Sequence, residues 1–325
     1  MVFRWIGTVL GAGALVAACL GLAVRYLPVT DHVMVILTSA SPYLMLAAPV
    51  AVVLLALSRR WVPVVLAVVA MLVVVAVRIP LYTGPETRQA QTTPVRVMTA
   101  NLGMGRADAR ATAATARDLA DVLVVQEMTP EAQAGLSATG VDRDFPYRVV
   151  DPRDVASGIG VWSRHPIVES APVDGYAMPM LEVRLRVPGV AFDPTVLAVH
   201  LAAPWPAPID AWRRDVERLP ATLRTLALDA GSGAVIVAGD LNATVDMLPF
   251  RRLLDNGYRD AAEQAGAGMS RTFPGQRRVP PPLLGIDHVL VRLSSASSLQ
   301  RVPLPGSDHM GLVVGVDVPL NPTVS

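Results

Sequence analysis

The sequence predicts an α/β domain that follows three membrane-spanning helices. Three observations support this fold class. The composition is apolar, with 52% hydrophobic and only 17% charged residues among 325, which does not suit an ordinary soluble domain. Residues 1–80 contain three long runs without charge, and the remainder alternates β-prone runs with helical segments. We therefore predict a membrane anchor (1–80), a linker (81–94) and an outer domain (95–325).

The uncharged runs cover residues 5–24, 33–57 and 61–77. A hydrocarbon core about 30 Å thick is crossed by roughly 20 helical residues, and about 17 is the lower limit. We expect each run to cross the membrane once, with the third run near that limit. Pro42 and Pro49 are expected to kink the second helix, because proline removes a backbone donor.

The arginines predict the orientation of these helices. Arg4 precedes the first run, and Arg59 and Arg60 separate the second run from the third. In the other loop, the charge of Arg25 is offset by Asp31. The positive-inside rule therefore places the N-terminus and the 59–60 loop in the cytoplasm. With three spans, we expect a multi-pass protein of the cell membrane whose outer domain is extracytoplasmic, with the lipid bilayer as its first partner.

Charge and cysteine content exclude several function classes. The outer domain has slightly more acidic than basic residues, whereas affinity for a nucleic-acid backbone comes from clustered Lys and Arg. Nucleic acid is therefore a disfavoured partner. The single cysteine, Cys19, excludes an intrachain disulfide and a cysteine-based metal site. Nothing in the sequence indicates an obligate protein partner.

The outer domain shows the mixture of strands and helices that is typical of α/β sheets covered by helices. Helices are expected over 107–120 and 209–228, the second interrupted at Pro220. Strands are expected over 95–100, 122–125, 158–162, 181–187, 196–200, 234–238, 289–293 and 312–316.

Polar side chains gather at the ends of these strands, where α/β proteins place their chemistry. Each residue alone is explained by a turn, a cap or a buried histidine. Six such places together predict a site. Asn101, Glu127, His200, Asp240 and Asn242 end strands, Asp287 begins one, and Asp308 and His309 precede the last.

The residue types in this set indicate a chemistry. Carboxylates without cysteine suit a hard cation such as Mg²⁺ or Mn²⁺. Histidines beside carboxylates suit general acid–base work or the stabilisation of an anion. A metal ion, an oriented water and cationic donors together describe the hydrolysis of a phosphate ester or anhydride.

The ordered motifs resemble those of the endonuclease/exonuclease/phosphatase (DNase I-like) superfamily. The resemblance covers residues 94 to about 319 and implies a four-layer fold, in which two mixed β-sheets pack face to face between helices. One departure is Gly285, where many members carry an arginine. The motifs are Met-Thr-Ala-Asn-Leu (98–102), Val-Gln-Glu (125–127), Gly-Ile-Gly-Val-Trp-Ser-Arg (158–164), Val-His-Leu (199–201), Gly-Asp-Leu-Asn (239–242), Ile-Asp-His-Val (286–289) and Ser-Asp-His (307–309).

The resemblance also implies roles for the metal and the water. Glu127 would bind Mg²⁺ or Mn²⁺ with Asn101 beside it, and Asp308 would lie near a second metal position. Asp240 would orient or deprotonate the attacking water. Asn242 would hold a phosphoryl oxygen.

The histidines receive roles from the same resemblance. His309, oriented by Asp287, and His200 would stabilise the transition state or protonate the leaving group. Asp151 is a candidate to orient His200, although a turn before Pro152 explains this residue equally well.

Two apolar loops bear on the substrate. Residues 201–208, with Trp205, follow His200, and residues 178–180 precede a predicted strand. Such loops indicate a binding or membrane surface, or else they cover the core; the two explanations have equal weight. With the anchor, they favour a lipid-linked phosphate, best a polyprenyl diphosphate. The architecture also resembles bacterial membrane proteins linked to teicoplanin resistance, which implies a role in antibiotic resistance.

Other functions remain open at this stage. An envelope nuclease is supported by a helix that carries four arginines, although acidic residues lie among them. A sphingomyelinase-like phosphodiesterase fits the same motifs. A non-catalytic binding protein is disfavoured by the intact set of acids and histidines. The four arginines are Arg213, Arg214, Arg218 and Arg224.

Overall fold

The computed structural model describes residues 1–84, 91–275 and 281–323. Helices dominate its first part and a strand-rich domain follows. The helices are α1 (Val2–Val24), α2 (His32–Met45), α3 (Ala47–Leu57), α4 (Trp61–Arg78), α5 (Pro80–Thr83), α6 (Ala109–Leu119), α7 (Pro130–Ala138), α8 (Val141–Asp144), α9 (Asp210–Ala230), α10 (Leu248–Arg251) and α11 (Ala261–Gln264), with a 3-10 helix over Arg252–Gly257.

Two of the apolar helices, α1 and α4, are long enough to cross a membrane individually. The second apolar run is instead divided into α2 and α3, which meet at a bend of 50° and make a third span only if the pair counts as one. The expected kink therefore lies at Leu46. Pro49 explains it, because it has no N–H to donate to Met45 and its ring crowds that carbonyl group. Pro42 lies inside α2 without a break.

The helices form a bundle with two distinct ends. At one end, Arg4 donates to the carbonyl oxygen of Ser58 at 3.3 Å. At the other end, two arginines pair with Asp246 of the outer domain. Arg25 directly follows α1, and Arg78 is the last residue of α4. Helices α1 and α4 therefore run toward the outer domain, and α3 runs away from it.

The outer domain contains two six-stranded sheets. Each has one parallel pair near its middle, while its other neighbours are antiparallel, so both sheets are mixed. The strands are β1 (Thr92–Asn101), β2 (Val122–Gln126), β3 (Tyr147–Asp151), β4 (Ile159–Ser163), β5 (Ile167–Pro172), β6 (Leu181–Leu185), β7 (Thr195–His200), β8 (Val235–Asp240), β9 (Arg259–Asp260), β10 (Asp287–Arg292), β11 (Ser295–Pro303) and β12 (Met310–Pro319).

Three hydrophobic cores divide the outer domain into four layers, which confirms the fold that the resemblance implied. The first sheet has the order β11-β12-β1-β2-β4-β3, and the second has the order β5-β6-β7-β8-β10-β9. One core, with Val97 and Ile236, lies between the sheets. A second packs the first sheet against α6 and α7. The third packs the second sheet against α9, and it includes Val35 of α2 beside Trp212.

Several predicted boundaries differ from the structure. Pro220 lies inside the continuous helix α9, so the expected interruption is wrong. Strands β3, β5, β9 and β11 were not expected. Strand β1 begins at Thr92, inside the predicted linker, of which residues 85–90 lie outside the described part of the chain.

Candidate active site

The two-residue period of the strands places the polar residues of the site. Ala198 and Ala238 lie in the core between the sheets. Because side chains alternate between faces, His200 and Asp240 point to that same side, two residues further along β7 and β8. Asn101 ends β1 in the same way and is fully buried. The edge of the core between the sheets is therefore lined with polar groups.

Asp287 lies at this same edge because it begins a strand that runs antiparallel to β8. Strand β10 is antiparallel to β8, and its register pairs Asp287 directly with Asp240. A strand that starts at Asp287 therefore meets one that ends at Asp240. His309 immediately precedes β12, whose neighbour is β1. The predicted gathering of strand ends is present in the structure.

Asn101 connects two carboxylates at the centre of the cleft. Its Nδ2 donates to Glu127 Oε1 at 3.1 Å and to Asp240 Oδ2 at 3.0 Å. Its Oδ1 accepts from the backbone N–H of Gly103 at 2.9 Å. The side chain of Asn101 is thus fixed on all sides, and it holds Glu127 and Asp240 close to each other.

Glu127 is turned into the cleft by its backbone. Its φ is 55°, in the left-handed region that non-glycine residues rarely adopt, and such strain is common at functional sites. Its Oε2 accepts from the N–H of Met104 at 2.6 Å. Burial raises the pKa of Glu127, although the hydrogen bonds from Asn101 and Met104 oppose this effect.

His309 and Asp287 form a buried acid–histidine pair. Nδ1 of His309 lies 2.8 Å from Asp287 Oδ2, and Nε2 lies 3.8 Å from Asp240 Oδ2. Burial acts to lower the pKa of His309, but the charges of Asp287 and Asp240 prevail and raise it to about 10. In this arrangement, His309 is a protonated imidazolium at neutral pH.

Asp240 has an unusual pKa for an aspartate. Burial and the negative charge of Asp287 raise it to about 7, against the opposing effects of His309 and the N–H of Asn242. The carboxyl group therefore titrates in the range where a general base works best. Its Oδ1 accepts from the N–H of Asn242 at 2.8 Å, so its orientation is fixed.

His200 carries no charge at neutral pH. Burial lowers its pKa to about 4, and the neighbouring positive charge of His309 contributes in the same direction. Its Nε2 lies 3.7 Å from Glu127 Oε1. Among the described residues, Nδ1 of His200 has no hydrogen-bond partner, so Asp151 does not orient this ring; the Asp151 carboxylate pairs at 2.7 Å with Arg153.

Asn242 lies at the cleft, but its amide is already engaged. Its Nδ2 donates to the carbonyl oxygen of Leu201 at 2.8 Å and approaches Asp240 Oδ2 at 3.3 Å. Its backbone is left-handed, with a φ of 47°, which turns the chain sharply after Asp240. The longer contact with Asp240 is the one that a phosphoryl oxygen would have to replace.

Asp308 lies at the rim of the cleft instead of within it. Its carboxylate is 40% exposed and lies 3.4 Å from the guanidinium group of Arg106. It belongs to neither of the two groups of acids and histidines that could hold a metal among the described residues. The role of Asp308 near a second metal position stays a prediction.

The residues of the cleft fit a divalent cation. Among the described residues, the buried carboxylates of Asp240 and Asp287 and the partly buried carboxylate of Glu127 face a single imidazolium, and like charges removed from water repel one another. A divalent cation would remove that repulsion. Glu127, His200 and Asp240 each offer a ligand atom, and these atoms lie within 4.8 Å of one another. Carboxylate oxygens are what Mg²⁺ and Mn²⁺ prefer.

Sequence reasoning missed the residues that support this set. Ser307 Oγ donates to the carbonyl oxygen of Asn101 at 2.7 Å and accepts from the N–H of His309 at 3.0 Å. The ring of Phe273 packs against His309 at 5.2 Å. The Ser-Asp-His motif contained the signal for Ser307, whereas Phe273 is placed by a loop that has no sequence signature.

Gly285 has a steric explanation. A Cβ atom at this position would lie 2.6 Å from the carbonyl oxygen of Met269 and 3.0 Å from that of Ser270. The backbone of residues 269–270 occupies the space that a larger side chain would need, so an arginine does not fit here without movement of that segment.

Comparisons with known proteins bear on this geometry. A family model described as the endonuclease/exonuclease/phosphatase family matches residues 98–309, which is more than half of the chain. The chain belongs to this family. Its members are nucleases and phosphatases, that is, hydrolases of phosphate esters. No match was found among curated proteins.

Solved structures show the same fold. A family member from Beutenbergia cavernae has 21% identity and a TM-score of 0.51, over 70% of this chain and 72% of its own. One from Bacteroides vulgatus has 16% identity and a TM-score of 0.54, over 70% and 99%. D. rerio TDP2 in complex with a single-strand DNA product has 17% identity and a TM-score of 0.53, over 69% and 99%.

The two apolar loops behave differently. Met180 and Leu201 are buried in the core that packs against α9, so part of each loop covers that core. The second half of the loop after His200 is exposed, including Trp205. The first half of the 201–208 loop therefore covers the core, whereas a binding or membrane surface in its second half stays a prediction.

Proposed function

We propose that the protein is a membrane-anchored, divalent-metal-dependent phosphohydrolase that acts on phosphate esters or anhydrides at the outer membrane face. The observation that carries this proposal is the buried excess of carboxylates around the protonated His309. Such a site would attract a divalent cation, and a phosphate bound in the cleft would lie beside the imidazolium of His309. The preferred substrate is a lipid-linked phosphate, best a polyprenyl diphosphate.

Each side chain has a task in this reaction. Asp240, with a pKa of about 7, accepts a proton from the attacking water. His309, held by Asp287, stabilises the charge that develops on the phosphoryl oxygens or protonates the leaving oxygen. His200 is neutral and donates a hydrogen bond without adding charge.

Glu127 would hold the metal with Asn101 beside it, and the carboxylate of Asp240 would remain available to accept the proton. When bound, Mg²⁺ or Mn²⁺ polarises the phosphoryl group and neutralises its charge. Asn101 already fixes both carboxylates through its amide group. This arrangement costs no reorganisation of the acids, because they are positioned before the substrate arrives.

The lipid-linked substrate is supported by the position of the domain. Two or three apolar helices precede the domain, and two of them end at Asp246, in the loop that follows Asp240 and Asn242. The active site thus lies a short distance along the chain from the helix bundle. We also propose the orientation that the arginines predict, with the outer domain extracytoplasmic. The role in teicoplanin resistance stays a prediction.

A nuclease is the second candidate, because one structural neighbour, TDP2, is described with a single-strand DNA product. The helix with four arginines does not add to this candidate. Arg213 lies within 4.0 Å of acidic residues of its own helix, and Arg218 donates to the carbonyl oxygen of Gly175. A sphingomyelinase-like phosphodiesterase is the remaining alternative.

The test measures hydrolysis of four substrates by the full-length protein in detergent with Mg²⁺ or Mn²⁺. The substrates are a polyprenyl diphosphate, sphingomyelin, supercoiled plasmid and a chromogenic phosphodiester. Asp240→Ala and His309→Ala are assayed in parallel. We expect phosphate release from the polyprenyl diphosphate, and we expect both substitutions to abolish it.

Two results would contradict the proposal. Plasmid cleavage that both substitutions abolish, without release of lipid phosphate, would favour the nuclease. Phosphate release that neither substitution affects would show that the activity comes from another protein.

For the topology, a reporter fused after Ser325 should behave as exported, and a cytoplasmic signal would reverse the orientation.

A further inference from the structure

Helix α2 contacts the loop that follows the catalytic His200. His32, the first residue of α2, places its Nε2 3.2 Å from the carbonyl oxygen of Ala207. Its ring also meets the ring of Trp205 edge-on, with 4.9 Å between the centroids. The start of α2 is therefore fixed to the loop that follows His200.

Helix α2 also contacts the loop that precedes Asp287. The hydroxyl group of Tyr43 donates to the carbonyl oxygen of Leu283, four residues before Asp287. The guanidinium group of Arg271 lies over the Tyr43 ring at 5.6 Å. Helix α2 therefore forms a wall that joins the loop before Asp287 to the loop after His200.

This wall has an apolar and partly uncovered side. Val33 is 64% exposed and Ile36 is 56% exposed. At 100° per residue, Ala40 and Tyr43 lie on the same side of the helix. We call these four residues the α2 stripe. Trp205, which is 57% exposed, lies at its far end beside the first turn of α2.

The stripe runs between the helix bundle and the loop that follows His200. Through the 50° bend, α2 continues into α3, which packs against α1 within the bundle. An apolar chain that leaves the bundle along α2 would stay in contact with apolar side chains up to Trp205. Exposed apolar surface gains about 25 cal/mol for each Å² that is removed from water, so an isoprenoid chain on the stripe would be stabilised.

We propose that the α2 stripe binds the apolar chain of the lipid-linked substrate while its phosphate enters the cleft beside Asp240 and His309. This inference rests on the proposed function. The long chain of the substrate remains partly in the bilayer, and its charged end requires the buried cleft. Helix α2 provides a continuous apolar surface between these two places, which makes Val33 and Ile36 determinants of specificity for long-chain substrates.

The experiment uses the full-length protein in phospholipid nanodiscs with Mg²⁺. It compares an undecaprenyl diphosphate with a chromogenic phosphodiester that has no chain. For the double variant V33S/I36S, we expect roughly a tenfold loss of kcat/KM on the long-chain substrate, mostly through KM, because two buried contacts with the chain are lost. The rate on the chromogenic substrate should change less than about twofold, since the reacting groups are untouched.

Two controls separate specificity from folding. Val62 matches Val33, because it is also the second residue of an apolar helix and is 76% exposed, but it lies at the opposite end of the bundle. Val62→Ser should leave both activities unchanged. Ile36→Leu keeps the apolar contact and should keep the preference for the long chain.

The outcomes distinguish this inference from the proposed function. If the wild-type protein hydrolyses the undecaprenyl diphosphate and V33S/I36S does so equally well, the stripe is not the binding surface and the proposed function stands. Equal losses on both substrates would also contradict it, because the change would then act on the fold or the reacting groups. If the wild type cleaves only the chromogenic substrate, the proposed function fails, and the role of the stripe fails with it.

Discussion

Two buried aspartates, one at the end of β8 and one in the loop that follows it, have opposite surroundings. Asp246 is met by Arg25 and Arg78, which belong to the ends of two apolar helices. Asp240, six residues earlier, is met by a second carboxylate across the strand register, that of Asp287. Both aspartates are almost fully buried. One carboxylate is outnumbered by cations, whereas the other belongs to a group in which acids outnumber cations.

This difference in charge separates a cluster that stabilises the fold from a cluster that can bind a cation. A buried carboxylate that is already neutralised by arginines has no free charge for a ligand. A buried group of carboxylates with a single imidazolium keeps an unsatisfied negative charge, which a divalent cation can meet. The Arg25–Asp246–Arg78 cluster therefore holds the helices to the domain, and the proposed reaction is assigned to the Glu127–Asp240–Asp287 group.

Among the substitutions that test this difference between the two clusters, Glu127→Gln should have the largest effect, a loss of activity. It removes one charge from the group that attracts the cation while keeping the shape of the side chain. We expect a loss of about 10²–10⁴-fold in kcat at millimolar Mg²⁺, as for other groups that act on the transition state. Steady-state rates over a range of Mg²⁺ concentrations check this, and high Mg²⁺ should restore part of the activity. An unchanged rate would mean that the charge of Glu127 is not needed.

Asp246→Asn should act on stability instead of chemistry. Its removal leaves Arg25 and Arg78 without their buried partner, which typically costs about 3–5 kcal/mol. For a domain of this size, that corresponds to a Tm lower by roughly 10 °C. Thermal unfolding of the full-length protein in detergent checks this expectation.

Asp151→Asn is the matched control for that substitution. It also removes a carboxylate from an arginine, but the pair with Arg153 is exposed, so we expect a cost of at most about 1 kcal/mol. Equal changes in Tm for the two variants would show that the Arg25–Asp246–Arg78 cluster has no special structural role.

Asp287→Asn should shift the pH dependence of the reaction. The charge of Asp287 helps to keep His309 protonated up to a pKa of about 10. Without this charge, the pKa moves toward the ordinary value of about 6.5, so the protonated form is lost at lower pH. The alkaline limb of kcat/KM should therefore move to lower pH. If the limb stays in place, another group titrates there.

Ser307→Ala should have the smallest effect. It removes a hydrogen bond to the carbonyl oxygen of Asn101 and another from the N–H of His309. The loss of such bonds costs about 1 kcal/mol each, so we expect roughly a tenfold decrease in kcat with little change in KM. A Cys substitution at this position should be similar, and full activity of both variants would show that Ser307 does not position the site.

Much of the site could be predicted because it follows from strand periodicity. Asn101, His200 and Asp240 end central strands whose apolar residues signal burial, and alternation places them on one edge. The edge strands β3, β5 and β11 were missed, since their largely exposed residues lack this apolar signal. The role of α2 was also missed. Its apolar residues suit a bilayer and a protein core equally well, and only the tertiary contacts with the outer domain show where its first turn lies.

Direct titration with Mn²⁺ tests the central claim, namely that the acidic group in the cleft binds a divalent cation. Calorimetry on the full-length protein in detergent should show saturable binding in the wild type and in Asp246→Asn. The same titration should show binding that is at least tenfold weaker in Glu127→Gln and Asp240→Asn. Equal affinity in all four proteins would contradict the account, because the metal would then bind outside the Glu127–Asp240–Asp287 group.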